Sequence, residues 1–344
     1  MTVYQGTSFT PELTPAGYAL FRAGVKVSAG TCEDLAGSLR RRHERTGTRW
    51  RLLSPLAQAV LTVAFLRANL TFDELAAGFG ISRATCWRNV TEGISALADR
   101  GRRISLKDVA RLAAKMGWEY LIVDGTHVPA VTFGRKTGGQ RAYYSGKHKR
   151  HGLNVQTVCS PHGDLLWAAA PQPGATVDVT AARQAGIAGD ILAFLGLFAD
   201  LGYLGLDKEV ITGRRKPRGG QLTPAQKAAN RLQAQLRCIG ERGNAQLKHW
   251  KALATELRCR PERCTAVVKA VLALYYLEND PFAALRAARH PPIVTRPLPA
   301  DGGSTRTRLP RRAPPPTWVN SPPRSVKQPA TREDKDETSS MGPR

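Results

Sequence analysis

The sequence predicts an α/β core preceded by an all-helical segment, and three observations carry that expectation. Residues 119–130, EYLIVDGTHVPA, open with the continuous apolar run of a strand buried on both faces, and the run stops at Asp124. A second run, ILAFLGLFAD, stops in the same way at Asp200. Upstream of both, residues 54–97 carry three sets of helix-start signals, and only beyond about residue 105 does the pattern turn to strand.

Charge narrows the partners. The 344 residues hold 51 basic and 27 acidic side chains, a net +24 that points to a polyanion, most simply nucleic acid, here double-stranded DNA if the helix-turn-helix and the resemblance below hold. An anionic membrane surface is the competing reading, but no basic amphipathic anchor stands out. The longest apolar stretch, 56–66, is interrupted by Gln58 and Thr62 and is too short to span a bilayer. The N-terminus, MTVYQGTSFT, lacks a signal-peptide core, so a cytoplasmic, nucleoid-associated protein with no membrane partner is expected. None of the six cysteines forms a CxxC pair. Cys259 and Cys264 have no second pair or His partner at zinc-ligand spacing, which favours plain thiols over half a metal site.

In chain order, residues 1–45 read as a basic N-terminal arm. Arg40, Arg41, Arg42, His43 and Arg45 suit either a phosphate backbone or a solvated helix face. Ser54 and Pro55 then cap a first clear helix. Thr71 with Glu74 forms a capping box for a second helix over 71–77, residues 78–81 make a glycine-containing turn, and Ser82 caps a third helix. That spacing matches a helix-turn-helix over 46–105. Ile81, Cys86 and Val90 face inward, and Arg83, Trp87, Arg88 and Asn89 lie on the outer face, where a recognition helix meets the major groove. Plain bundle pieces share the pattern; the whole-chain charge favours DNA binding.

Asp124, expected where Gly125 and Pro129 end the strand, suits a metal ligand or general base, or only caps an Asp-Gly turn. AYYSG begins a second extended segment, and Lys147, Lys149 and Arg150 follow in a dense basic cluster. Its histidines, His148 and His151, invite a metal reading, but their cationic neighbours favour a phosphate-facing edge. LNVQTVCS and LLWAAA read as a hairpin. With Asp200 ending a strand of the same sheet, two carboxylates could meet and hold Mg²⁺ or Mn²⁺ with hard oxygen ligands. Thr223, Pro224 and Gln226 start a long helix, expected to run to about Trp250 and to carry Glu241. Glu241 lies opposite the apolar stripe Leu232, Leu236, Ile239, Leu247 and Trp250, as a solvated Glu would. It also shares a face with Ala234, Cys238 and Ala245, small enough for close approach to a sheet edge.

At this point the motifs carry a resemblance. IVDGTHVP, YYSGKHKRHGLNVQ, LLWAAAPQPGATVD, FADLGYLG, LTPAQKAANR and CIGERGNAQLKHWKAL, in that order, resemble the bacterial DDE transposases of the insertion-sequence-five group and the related PIF/Harbinger nucleases. The similarity covers roughly residues 45–285. It implies a ribonuclease-H-like catalytic core, a mixed sheet flanked by helices, over 106–288. It also implies Asp124, Asp200 and Glu241 as a catalytic triad holding two Mg²⁺ (or Mn²⁺) ions, and a basic loop with Arg214, Arg215 and Lys216 against DNA. Many relatives have His where Val177 stands, so Asp178 is left outside the triad. Residues 289–344 read as a disordered Pro/Arg-rich tail, because 12 of the 23 prolines fall in the last 55 residues and no core can form there. The function implied is a transposase that binds inverted-repeat DNA ends and catalyses metal-dependent strand cleavage and transfer, as a homo-oligomer when two ends are synapsed. The alternative is a catalytically inactive, repurposed DNA-binding protein.

Overall fold

Local capping chemistry sets the helices of the first half. A computed structural model describes residues 25–47, 51–130 and 140–283; the start of the expected arm and the expected tail lie outside the described residues. Helix α1 (Ala29–Thr46) is capped by the Ser28 side chain and buries Cys32, Leu35, Ala36 and Leu39. Part of the span read as an arm is thus a packed helix. Its basic run stays on the outside, except that Arg42 pairs with Asp99 and Glu92 and His43 is turned in toward Glu92. Helix α2 (Pro55–Ala68) starts at Ser54 and Pro55 and is buried on nearly every side, so it is a core helix rather than an amphipathic one.

Helix α3 (Phe72–Phe79) carries the Thr71/Glu74 capping box and ends at Gly80, whose φ of 62° gives the left-handed turn that glycine adopts at least cost. Ser82 caps α4 (Arg83–Arg102), which buries Cys86, Val90 and Leu97. Helix α5 (Leu106–Lys115) buries Leu106, Val109, Ala110 and Ala113, one stripe at helical spacing.

The sheet follows. Strand β1 (Tyr120–Pro129) leads to α6 (Gln140–Tyr143), β2 (Tyr144–Ser145) and β3 (Arg150–Cys159). Next come β4 (Leu165–Ala168), β5 (Gln172–Pro173), α7 (Asp178–Gln184), α8 (Ile187–Leu192), β6 (Gly196–Phe198) and β7 (Val210–Ile211). Strand order is β2-β3-β1-β6-β7, with β4 and β5 also paired to β3. β1 runs antiparallel to β3 and parallel to β6, the mixed sheet with flanking helices that the resemblance implies. The run ILAFLGLFAD is half helix: its first residues close α8, and only 196–198 are strand. AYYSG is likewise mostly a helical turn, α6, before two strand residues.

Helix α9 (Pro224–Lys248) begins with the expected Thr223/Gln226 capping box, and α10 (Lys251–Ala254) and α11 (Pro261–Glu278) complete the described chain. The expected apolar stripe of α9 fails at Leu232, which is 65% exposed, while Leu247 and Trp250 are buried. The second half of α9 lies on β1 and β3, and from its first half Gln233 reaches the Ala199 and Ile211 carbonyls. Gly240 and Gly243, not Ala234, Cys238 and Ala245, let it come close: an added Cβ at Gly240 would sit 3.1 Å from Ile122, and one at Gly243 would collide with the Cys159 sulfur. One buried cluster joins α1 to α4 with β1, β3 and α11. Glu278, at the end of α11, also accepts hydrogen bonds from Ser28 and Thr31 at the start of α1.

Candidate active site

The sequence places Asp124 at a strand end, and the structure corrects this. β1 continues to Pro129 along β3, so Asp124 is in mid-strand. What ends nearby is the pairing on the other edge: β6 covers only Tyr120 to Ile122, in register with Gly196 to Phe198. Asp124 lies two residues beyond the last parallel pair on β1, and Asp200 two residues beyond it on β6. The two carboxylates therefore leave the sheet at the same level of its opened edge, as neighbours in a parallel register would.

Each carboxylate is aimed by a fixed donor. The Gly125 N–H donates to Asp124 Oδ1 at 2.9 Å, and Asn244 Nδ2 on α9 donates to Oδ2 at 2.7 Å. Thr157 on β3 donates to Asn244 Oδ1 at 2.7 Å and so sets which end of that amide faces Asp124. Asp200 caps the short 3₁₀ turn Leu201–Tyr203, its Oδ1 accepting from the Gly202 N–H at 2.7 Å. Glu241 is exposed, on the turn of α9 between Gly240 and Asn244, both of which lie against the Asp124 strand.

Asp178, left outside the triad in the sequence, stands among these groups. It is the first residue of α7, and its Oδ1 accepts from Asn154 Nδ2 at 2.8 Å and Gln156 Nε2 at 3.3 Å. A side-chain carbon at Gly125 would collide with that same oxygen, and one at Gly202 would lie 2.9 Å from Asp200 Oδ1 and 3.6 Å from Asp178 Oδ2. Glycine at both positions is what leaves room for the acids. The buried Tyr203 hydroxyl donates to Gln156 Oε1 at 2.5 Å, orienting the amide toward Asp178. Burial, and the charges of Asp178, Asp124 and Asp200 around it, push the Tyr203 hydroxyl well above its ordinary pKa. The alternation of Asn154 and Gln156 on one face of LNVQ was the available signal for Asp178. Nothing in the sequence tied that face to residue 178.

The donor chemistry fits a hard divalent cation: aspartate and glutamate oxygens, no soft sulfur. Among the described residues, no three of His, Cys, Asp and Glu stand close enough to share one ion, and each Asp is turned to a backbone or amide donor.

A family model for DDE superfamily endonucleases matches residues 123–275, and one for their helix-turn-helix matches 50–103. The protein named as the transposase for insertion sequence element IS112 of Streptomyces albus G is 30% identical over 211 residues, 61% of this chain and 74% of that protein. The chain belongs to the DDE superfamily endonucleases. A second relative, named as the transposase for insertion sequence element IS702 of Microchaete diplosiphon, is 26% identical over 225 residues, 64% of this chain and 79% of its own. No solved structure matches.

In this DDE endonuclease the residues expected to face DNA differ in how free they are. Arg83 and Arg88 are exposed on α4, Arg83 within 3.4 Å of Asp73. Trp87 is also exposed, and the Arg263 guanidinium lies 4.8 Å above its ring. Asn89 turns back, donating to the Thr85 carbonyl at 2.8 Å, and is half-buried. Lys147 and Lys149 are in the tight turn joining β2 to β3, not on a strand, and Arg150 opens β3. Lys149 has a φ of 52°, and Lys147 Nζ is 3.5 Å from Asp178 Oδ2. Arg214, Arg215 and Lys216 are exposed in the loop after β7, its backbone held to α9 by Asn230. Lys248, absent from the sequence reading, lies two turns beyond Glu241. Its pKa is lowered by burial and by Arg150, while Asp124 opposes the shift. No helix among the described residues is long and apolar enough to cross a membrane.

His127 has a measurable consequence. Burial, then the neighbouring His148, Arg150 and Lys248, lower its pKa from 6.5 to about 4, so the fold holds the imidazole neutral. Below pH 6.5 the unfolded chain takes up a proton that the folded chain refuses until about pH 4, so stability should fall as pH drops through that window. Urea unfolding of the wild type and His127→Asn across pH 7 to 4 measures this. Equal slopes in the two proteins would remove His127 as the cause.

Proposed function

We propose that this DDE endonuclease is a transposase of the insertion-sequence-five and PIF/Harbinger type, which binds the inverted-repeat ends of its element and catalyses metal-dependent strand cleavage and transfer. One observation carries the reading: Asp124 and Asp200 leave the opened sheet edge in the same register, with Glu241 on the helix that touches it. DDE superfamily endonucleases generally use divalent metal ions. Two Mg²⁺ or Mn²⁺ ions bound to Asp124, Asp200 and Glu241, with Asp178 beside them, would make a nucleophile of water or a 3′-hydroxyl and stabilise the leaving oxygen.

The chain's own groups do the positioning. Asn244 and the Gly125 N–H hold Asp124, and the Gly202 N–H holds Asp200, so neither carboxylate has to find its rotamer when DNA arrives. Lys147, Lys149, Arg150 and Lys248 bring positive charge to the same edge and oppose phosphates on either side of the scissile one. Arg83, Trp87 and Arg88 on α4 read the repeat, and Arg214, Arg215 and Lys216 contact the strand leaving the site. We assign residues 46–105 to DNA-end recognition, 106–288 to catalysis, and the flanking segments to non-specific DNA affinity. Joining two ends requires at least two copies.

The test uses the full chain with duplexes copying the inverted repeats that flank its gene. Nicks at the repeat boundary are expected with Mg²⁺ or Mn²⁺ and none with EDTA. Specific binding without cleavage in either metal would make the chain a repurposed DNA-binding protein. The triple variant of Lys147, Lys149 and Arg150 to Ala should reduce the slope of log affinity against log salt by up to about 3, with sequence preference unchanged. An unchanged slope would take these residues off the DNA.

A further inference from the structure

Two cysteines stand face to face where the start of α11 meets α4. The sulfurs of Cys259 and Cys264 are 3.5 Å apart. Arg260 is the N-cap of α11, so the two thiols flank its first turn, at positions whose side chains commonly touch. A contact of that kind only fills an apolar gap when both members are covered. Here Cys264 is covered, at 1% exposed, but Cys259 is half-buried and lines a cavity of about 670 Å³ with Phe72, Trp87, Ile94 and Arg263. One sulfur is reachable from the cavity, and the other lies behind it.

The surroundings make the two thiols unequal. The hydrogen bond from Cys264 and the charge of Arg263 lower the Cys259 pKa, against burial and Glu262. Cys259 therefore ionises first, while Cys264, which also has the Arg260 carbonyl at 3.5 Å, keeps its proton. The same Arg263 braces α4: its guanidinium lies 4.8 Å above the Trp87 ring and donates to Thr91 Oγ1 at 3.2 Å. A change at the sulfurs thus acts on the residue next to Cys264 in the chain, the one that holds the proposed recognition helix.

We propose that Cys259 and Cys264 form a dithiol that a hydroperoxide closes to a disulfide, and that closure loosens the hold of Arg263 on α4 and weakens recognition of the element end. The second half rests on the reading of α4 given above. The Cys259 thiolate attacks one oxygen of hydrogen peroxide and the O–O bond breaks. The hydroxide released takes up the proton that Cys259 shed, leaving water and a sulfenic acid on Cys259. The Cys264 sulfur then attacks the sulfenic sulfur, the S–O bond breaks, and the departing hydroxide takes the Cys264 proton as a second water. Two thiols are oxidised and one peroxide is reduced. A disulfide is about 2.05 Å long, so the sulfurs close by roughly 1.5 Å. The segment between them, which carries Arg263, has to give.

The experiment uses the full chain with Cys238→Ser, which removes an exposed thiol. The protein is treated with equimolar hydrogen peroxide, remaining thiols are blocked with iodoacetamide, and trypsin cuts after Arg258, Arg263 and Lys269 but not between Arg260 and Pro261. The expected product is peptide 259–263 joined to peptide 264–269, lighter by two hydrogens than the two apart. Preference for the end duplex over a scrambled one should fall several-fold on oxidation and return with dithiothreitol. Cys259→Ser and Cys264→Ser should each keep the preference through the same treatment, and untreated Arg263→Gln should show the lowered preference that oxidation produces. Absence of the joined peptide, a preference that is present but unmoved by the disulfide, or a loss of preference in peroxide-treated Cys259→Ser overturns the proposal. If the joined peptide forms but the untreated chain never distinguishes the two duplexes, the α4 reading fails and the dithiol stands.

Discussion

Asp124→Asn should lower metal-dependent strand cleavage by on the order of 10³-fold, while affinity for the element end stays within about twofold. The substitution keeps the shape of the side chain but only one acceptor oxygen, so it can serve the Gly125 N–H or Asn244 Nδ2 and gives up the other bond, a modest cost to the fold. It removes the negative charge, and a hard divalent cation bound to oxygen has no comparable neutral substitute at that point. Asp200→Asn, which keeps an acceptor for Gly202, and Glu241→Gln should do the same. Cleavage by each purified variant at saturating Mg²⁺, with binding measured separately, decides the assignment. A variant that cuts at the wild-type rate removes its residue from the site. Asp178→Asn is the informative comparison, because Asn154 and Gln156 already occupy its Oδ1 and only Oδ2 is turned toward Asp200 and Lys147. If it proves as damaging as Asp124→Asn while Glu241→Gln is mild, the third essential acid is Asp178.

The second large effect is on stability. Glu92, in the middle of α4, accepts hydrogen bonds from Arg51 and from Gln58 Nε2 at 3.0 Å, and lies 3.8 Å from Arg42 and 3.6 Å from His43. Burial pushes its pKa up, but the bonds from Arg51 and Gln58 and the nearby positive charge outweigh this and leave it below the usual value of 4.5. Glu92→Leu would leave Arg42, His43 and Arg51 facing one another around an apolar side chain. A loss of about 3 kcal/mol is expected, less than for a wholly buried pair because the group retains some contact with water. Equilibrium urea unfolding at pH 7 measures it, and a loss below about 1 kcal/mol would show that solvent screens the cluster. Because the folded pKa is depressed, the Glu92 contribution is present above pH 4.5 and fades as pH falls below it.

The parts of the fold legible in the sequence were those set by neighbours in the chain. Ser54–Pro55, the Thr71/Glu74 box, Ser82 and the Thr223/Gln226 box each mark a helix start because the donor and acceptor lie three residues apart. What escaped depends on pairing between distant segments. β1 runs past Gly125 because β3, some thirty residues away, still pairs with it, and no local turn signal could report that. The close face of α9 is set by Gly240 and Gly243, since the approach is limited by Ile122 and Cys159, which a helical wheel does not contain. Asp178 was passed over for the same reason: its surroundings come from β3 and the turn after β2, while its own neighbours, Val177 and Val179, are apolar.

One feature of the packing bears on how such an enzyme measures DNA. The helix-turn-helix and the β1–β3 sheet share a single buried cluster, tied further by α11 lying in it and by Glu278 anchoring the start of α1. If α4 reads the element end and the Asp124 and Asp200 edge cuts it, as proposed, the shared cluster would hold the two at one separation, like the fixed jaws of a caliper. The distance between the bases recognised and the bond broken would then be a property of the protein, counted in whole base pairs. An element end lengthened by half a helical turn between those points would present the wrong face of the duplex to the carboxylates, however well its sequence is read.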